Sequence, residues 1–199
     1  MNIWFATNNA HKKEELQAIL GRTLKIPKDE GFDFDPEETF LTFHENALLK
    51  ARELKKLLNK TGDFVIADDS GLCVDALDGR PGVFSARYGA ADGRNLTSPE
   101  RNALLLDELG NAADRSARFV CAMVLLFDND RFITVQETLE GEIVKSQDVR
   151  GEGGFGFDPV FLIPEFRRTL AELSAEEKNS LSHRGKAGKI IANILREFK

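Results

Sequence analysis

Apolar positions along the chain recur with two periods. Ile3 to Ala6 is a short apolar run that stops at Thr7-Asn8-Asn9. A segment with Leu16, Ile19 and Leu20 at helical spacing follows, and Gly21 is placed to cap its end. Strand, polar turn and helix in that order open an α/β layout. Residues 27–39 are acidic and irregular. A second helix is expected to run to about Lys60, because Thr42 and Glu45 match a capping box and Ala47, Ala51, Leu54 and Leu58 form one apolar stripe. Phe64-Val65-Ile66-Ala67 then reads as a short buried strand ending at the polar Asp68-Asp69-Ser70-Gly71.

Residues 75–95 are rich in glycine and turn formers and read as a long loop. Ser98-Pro99-Glu100 opens a third helix with Ser98 as its N-cap. The run Phe119 to Phe127, then Asp128-Asn129-Asp130, then Phe132-Ile133-Thr134-Val135, reads as a hairpin, which gives the sheet an antiparallel part. Gly151 to Gly156 forms a second glycine-rich loop, and Val160 to Ile163 another strand. Ser174 and Glu177 match a further capping box, and a last helix sets Ala187, Ile190, Ile191, Ile194 and Leu195 on one face. The sequence has no repeat, linker or low-complexity segment, so a single domain over residues 1–199 is expected.

Composition narrows the class. A chain of 199 residues, 42% hydrophobic, suits one core of ordinary size. The net charge of -6 argues against a nucleic-acid polymer as partner. Cys73 and Cys121 sit in apolar stretches, which predicts buried free thiols, and without a CxxC pair a thiolate zinc site is not expected. The chain opens directly into its first strand and has no apolar run of membrane-spanning length. A soluble, cytoplasmic protein with no membrane partner is expected.

Ligands of α/β folds sit at the polar ends of apolar strands, and three clusters qualify. Thr7, Asn8, Asn9, Ala10, His11 and Lys12 lie where a strand feeds a helix, a place where backbone amides, asparagine side chains and a lysine can cradle phosphate. The alternative is a capped helix with solvated lysines. Asp68 and Asp69, followed by Ser70, place adjacent carboxylates at a buried strand. They point to opposite faces, and a hard cation such as Mg²⁺ is a natural partner, with Glu38 or Glu37 as a second carboxylate. The alternative is a turn using Asp for side-chain-to-backbone bonds. In the third cluster, glycines let the backbone at Phe155 approach a ligand and an aromatic can stack on a base. Asp158 and the pair His183-Arg184 can hydrogen-bond a polar edge. The alternatives are core packing for the aromatics and ordinary helix-end charge for His183-Arg184. No HxxxH, HExxH, GxSxG or Walker A pattern occurs, which argues against zinc hydrolysis, an acyl-transfer triad and a P-loop.

The clusters together resemble the inosine triphosphate pyrophosphatase family, also called Ham1-like or non-canonical purine NTP pyrophosphatases. The resemblance rests on six motifs in order. They are Thr7-Asn8-Asn9-x-x-Lys12-x-x-Glu15; Glu38-Thr39 before Glu45-Asn46-Ala47-x-x-Lys50-Ala51; and Ala67-Asp68-Asp69-Ser70-Gly71-Leu72. Pro81-Gly82-Val83-Phe84-Ser85-Ala86-Arg87-Tyr88, Gly153-Gly154-Phe155-Gly156-Phe157-Asp158-Pro159 and Ser182-His183-Arg184-Gly185 complete the set. Asn8 departs from the glycine many relatives carry, and Asn tolerates such a turn.

The resemblance implies a mixed central β-sheet flanked by helices, two lobes with a nucleotide cleft between them, and a homodimer. It implies hydrolysis of ITP, dITP and XTP to monophosphate and pyrophosphate, with Mg²⁺ held by Glu38 and Asp69 and with Asp69 as general base. Residue types alone do not separate Asp69 from Asp68. Lys12, Lys50 and Lys178 would hold the phosphates, while Phe155, Gly156, Phe157, Asp158, His183 and Arg184 would meet the base. Two other readings are a Maf-like pyrophosphatase acting on pyrimidine nucleotides, disfavoured by the Phe155–Asp158 and Ser182–Arg184 motifs, and a nucleotide-binding regulator without turnover. A regulator has no need of concentrated carboxylates beside an anionic ligand. A plain interaction domain would require every cluster to be structural at once.

Overall fold

The computed structural model describes residues 2–58, 62–91, 94–128 and 131–198. In chain order it contains β1 (Ile3–Phe5), α1 (Ala10–Leu20), α2 (Phe43–Leu58), β2 (Phe64–Val74), α3 (Ser98–Leu109), β3 (Ser116–Leu126) and β4 (Phe132–Ile143). These are followed by β5 (Phe161–Ile163), β6 (Arg168–Thr169), α4 (Ala175–Leu181) and α5 (His183–Glu197). The six strands form one sheet in the order β1-β2-β3-β4-β5-β6. β1 runs parallel to β2, whereas β4–β5 and β5–β6 are antiparallel, so the sheet is mixed as expected. Within the expected hairpin turn, Asn129 and Asp130 lie outside the described residues, as does the expected helix end at Lys60. Among the described residues no helix is long and apolar enough to cross a membrane.

Contacts group the chain into two compact units. The first comprises residues 1–69, 121–137 and 183–199. Its strands are covered on both faces, and strand alternation sorts the side chains. Ile3, Phe5, Phe64, Ile66, Cys121, Met123 and Leu125 pack with Leu16 and Leu20 of α1 and with Ala187, Ile191 and Leu195 of α5. Their neighbours Trp4, Ala6, Val65, Ala67, Val124 and Leu126 pack with Ala47, Ala51, Leu54 and Leu58 of α2. The predicted α2 stripe is therefore core. Gly188 lets α5 close on α1, since a Cβ there would lie 2.8 Å from Ile19. Ile190, expected on the buried face of α5, is exposed, because residues 187, 191 and 195 already fill that face.

The second unit comprises residues 70–120 and 138–182. Leu105, Leu106 and Leu109 of α3 pack with Leu72, Val74, Tyr88, Phe119 and Phe161. Four local expectations change here. The N-cap of α3 is Thr97 rather than Ser98, because Glu100 reaches back to the Thr97 amide while the Thr97 hydroxyl accepts from Glu100 N–H. The expected loop at residues 75–95 contains 3-10 turns at Asp75–Leu77 and Gly82–Arg87, braced by the Ser85 hydroxyl accepting from Leu72 N–H at 2.8 Å. Val160 lies in a 3-10 turn before β5, and Cys73 is half-buried rather than buried.

Candidate active site

The largest departure from the sequence reading creates the site. β2 does not end at Ala67. It continues through Asp68, Asp69, Ser70 and Gly71 to Val74, so both carboxylates stand in mid-strand and are buried. Charge inside a strand requires cations from other elements, and alternation sends the two aspartates to different ones.

Asp68 shares its face with Phe64 and Ile66, against α1 and α5. Its Oδ1 accepts from Lys12 Nζ at 3.0 Å, and its Oδ2 accepts from Arg184 Nε at 3.0 Å and Nη2 at 2.9 Å. Arg184 Nη1 donates to Glu15 Oε2 at 2.7 Å, and the Cys121 thiol lies 4.0 Å from Asp68 Oδ2. Burial alone would raise the Asp68 carboxyl, but Lys12, Arg184 and Lys50 outweigh it and hold it far below the usual carboxylate range. The Cys121 thiol is pushed up to about 12 by burial and then by the Asp68 charge.

Asp69 shares its face with Val65 and Ala67, against α2. Lys50 Nζ donates to Asp69 Oδ1 at 3.2 Å and to Glu38 Oε1 at 2.8 Å, so two carboxylates share one ammonium. Glu37 is exposed, and Glu38 is the acid of this loop that reaches Lys50. Burial, opposed by Lys50 but reinforced by Glu38, raises the Asp69 carboxyl. Burial lowers Lys50, but Asp69, Glu38 and Asp68 more than reverse it and the ammonium is held charged.

Among the described residues no three His, Cys, Asp or Glu side chains gather as a metal-ligating group. The convergence of Glu38 and Asp69 nevertheless fits Mg²⁺. Two hard-oxygen donors that meet at one ammonium match the way this ion is commonly bound, by one or two carboxylates with water and substrate phosphate completing the shell.

At the start of α1, Asn9 is the N-cap, its Oδ1 accepting from Lys12 N–H at 3.2 Å, while Thr7 Oγ1 accepts from Asn9 N–H at 3.1 Å. Thr7 N–H donates to Phe5 O, and Asn8 Nδ2 donates to Phe34 O. Within the expected phosphate cradle at residues 7–12, the amides of Thr7, Asn9 and Lys12 thus have internal acceptors. Asn8, Asn9, Ala10 and His11 are exposed.

In the second unit, Asp158 is buried. Its Oδ2 accepts from Phe155 N–H at 2.7 Å and from Lys178 Nζ at 2.8 Å, and Lys178 Nζ stands 4.6 Å from the centre of the Phe155 ring. Gly154, at φ 73°, permits this: a Cβ there would lie 2.1 Å from Asp158 Oδ2. Phe155 and Gly156 are half-buried, as is Ser70 in β2. The ring of Phe157, a residue also expected at the base, is buried in the core, packed against Tyr88 with ring centres 6.3 Å apart. His183 and Arg184 open α5 and are buried, so neither is an ordinary surface charge. Arg184, expected at the base edge, gives one N–H from each of Nε, Nη1 and Nη2 to a carboxylate, which uses three of the five donors of a guanidinium.

Two contributors had been assigned no role from sequence. Glu15 lies one turn after Lys12 on α1, and Asn46 one turn before Lys50 on α2; each was visible as a polar residue at helical spacing from a site lysine.

A mixed α/β sheet with carboxylates and lysines arrayed about one strand defines a protein suited to an anion escorted by a metal. The Ham1 family model matches residues 3–194, and the chain belongs to that family. It is 50% identical over 188 residues to the dITP/XTP pyrophosphatase of Treponema denticola, covering 94% of each chain. It is similar to the solved Ham1 protein of Staphylococcus aureus, with TM-score 0.86, 40% identity and 100% of both chains covered. A HAM1 protein from Coxiella burnetii gives TM-score 0.87 at 38% identity over 99% of each chain.

Proposed function

We propose that this chain hydrolyses non-canonical purine nucleoside triphosphates (dITP, XTP and ITP) to the monophosphate and pyrophosphate in the cytoplasm, clearing them from nucleotide pools. The observation that carries the reading is the meeting of Glu38 and Asp69 on Lys50 Nζ, in a chain 50% identical to a dITP/XTP pyrophosphatase.

Glu38 and Asp69 would hold Mg²⁺, which when bound offsets the charge of the polyphosphate. Asp69 accepts the proton of the attacking water. Of the two adjacent aspartates it is the one whose proton affinity is raised, whereas Asp68 is locked as an anion by its cations. Lys12 and Lys50 take phosphate oxygens, exchanging carboxylate partners for the triphosphate. Arg184 holds Asp68 in place and stays in the proposed binding set on the resemblance. In the second unit, the Phe155 ring with Lys178 above it is a cation-backed aromatic surface suited to a purine, held in place by Asp158. His183, Gly156 and Ser70 stay in the proposed binding set on the resemblance, as does the homodimer.

Steady-state hydrolysis of ITP, XTP, dITP, GTP, ATP and TTP, with products identified and with Mg²⁺ or EDTA present, tests this. Pyrophosphate release from dITP, XTP and ITP, lost in EDTA, is expected. Inorganic phosphate as product, or no turnover, would overturn it.

A further inference from the structure

Asn46 is fully buried, 0% exposed, and the reaction described above does not use it. It lies on α2 beside the stripe of Ala47 and Ala51 and one turn before Lys50. Its amide has three bonds. Oδ1 accepts from Phe40 N–H at 3.1 Å, and Nδ2 donates to Phe40 O at 3.1 Å and to Asp69 Oδ2 at 3.3 Å. These partners dictate its orientation, because a flipped amide would set its oxygen against two acceptors and its NH₂ against an N–H.

The bonds close a circuit. Glu38 lies two residues before Phe40 on the loop that Asn46 clamps. Glu38 meets Lys50, Lys50 meets Asp69 Oδ1, and Asp69 Oδ2 returns to Asn46. Both carboxylate oxygens of Asp69 therefore receive a donor from α2, from side chains four residues apart. A residue that only latched the loop would need no more than its two bonds to Phe40. The third bond couples the latch to Asp69.

We infer that Asn46 is a positioning residue for the carboxylate pair: its amide ties the loop carrying Glu38 to Asp69 and so sets how the two acids face a divalent cation. This rests on the reading of Glu38 and Asp69 as the metal-holding pair. Ligands of a metal lose precision when the groups that orient them are removed, typically at a cost of 10- to 100-fold in affinity or activity.

The test compares the parent with Asn46→Ala and Asn46→Asp, measuring Mn²⁺ binding without nucleotide by electron paramagnetic resonance, then kcat and KM, with thermal unfolding alongside. Asn46→Ala should weaken Mn²⁺ binding roughly 10- to 100-fold and lower kcat at saturating metal more than it raises KM. Asn46→Asp, which keeps an acceptor for Phe40 N–H but faces Asp69 with a carboxylate, should lower kcat at least as much. A folded Asn46→Ala protein with parental Mn²⁺ affinity and kcat, altered only in its unfolding midpoint, overturns the inference. Asn46→Ser replaces the alanine variant if that fails to fold, and if neither folds Asn46 is a fold determinant and the positioning role falls. If the parent releases no pyrophosphate from any triphosphate yet Asn46→Ala still loses Mn²⁺, the proposed function fails and the positioning role stands.

Discussion

β2 carries two consecutive aspartates, and the two faces of the strand treat them in opposite ways. Asp68 looks toward α1 and α5, where two cations address one carboxylate and Glu15 absorbs the remaining arm of the arginine. Asp69 looks toward α2, where two carboxylates share one ammonium. Residue type, strand and depth are nearly the same, but Asp68 is paired with two cations whereas Asp69 is paired with one that it shares with Glu38. The overcompensated acid is an anchor. The undercompensated acid has spare negative charge, a raised proton affinity and a reason to bind a divalent cation.

The largest effect expected from this contrast is in catalysis. Asp69→Asn should lower pyrophosphate release by about 10²- to 10⁴-fold, while the unfolding midpoint in EDTA stays level or rises, because the repulsion with Glu38 is gone. A folded variant turning over near the parental rate breaks the comparison.

Asp68→Asn should do the reverse and act mainly on stability. It strands the buried Arg184 charge and releases Lys12, a loss of about 3–5 kcal/mol in urea unfolding. The pH dependence sharpens this. A carboxyl depressed in the fold contributes stability that is present above its ordinary pKa of 3.8 and fades as pH falls through the depressed value. Parental stability in EDTA should therefore drop below pH 3.8 more steeply than that of Asp68→Asn. Parallel curves would show that Asp68 is not the anchor.

The smallest effect is expected from Glu38→Gln. Without metal, the lost attraction to Lys50 and the relieved repulsion with Asp69 nearly cancel, leaving a stability change within about 1 kcal/mol. Calorimetry in EDTA measures it. A loss as large as that of Asp68→Asn would mean that the second face is no less compensated than the first.

Much of this contrast was open to sequence reading. The alternation rule alone separates Asp68 from Asp69 by face, and Glu38, Lys50 and Lys12 are identified as members of recognisable motifs. The pairing of Arg184 with Asp68 was not legible, because the two lie 116 residues apart, and nothing local marks a guanidinium that is also buried against an acid. Phe157 and Phe155 differ by two positions in a glycine-rich loop, and only the packing around Tyr88 tells the core ring from the half-buried one.

The amino-acid sequence by itself determined the local physics. It set the apolar stripe of α2, the caps at Asn9, Thr42 and Ser174, the period-two strands, and the supply of acids and lysines. Only the tertiary structure decided that β2 runs on through its charged centre. Burying two carboxylates in mid-strand is unfavourable until Lys12, Lys50 and Arg184 arrive from three separate helices, and those long-range ion pairs exist only once the helices have docked on the sheet.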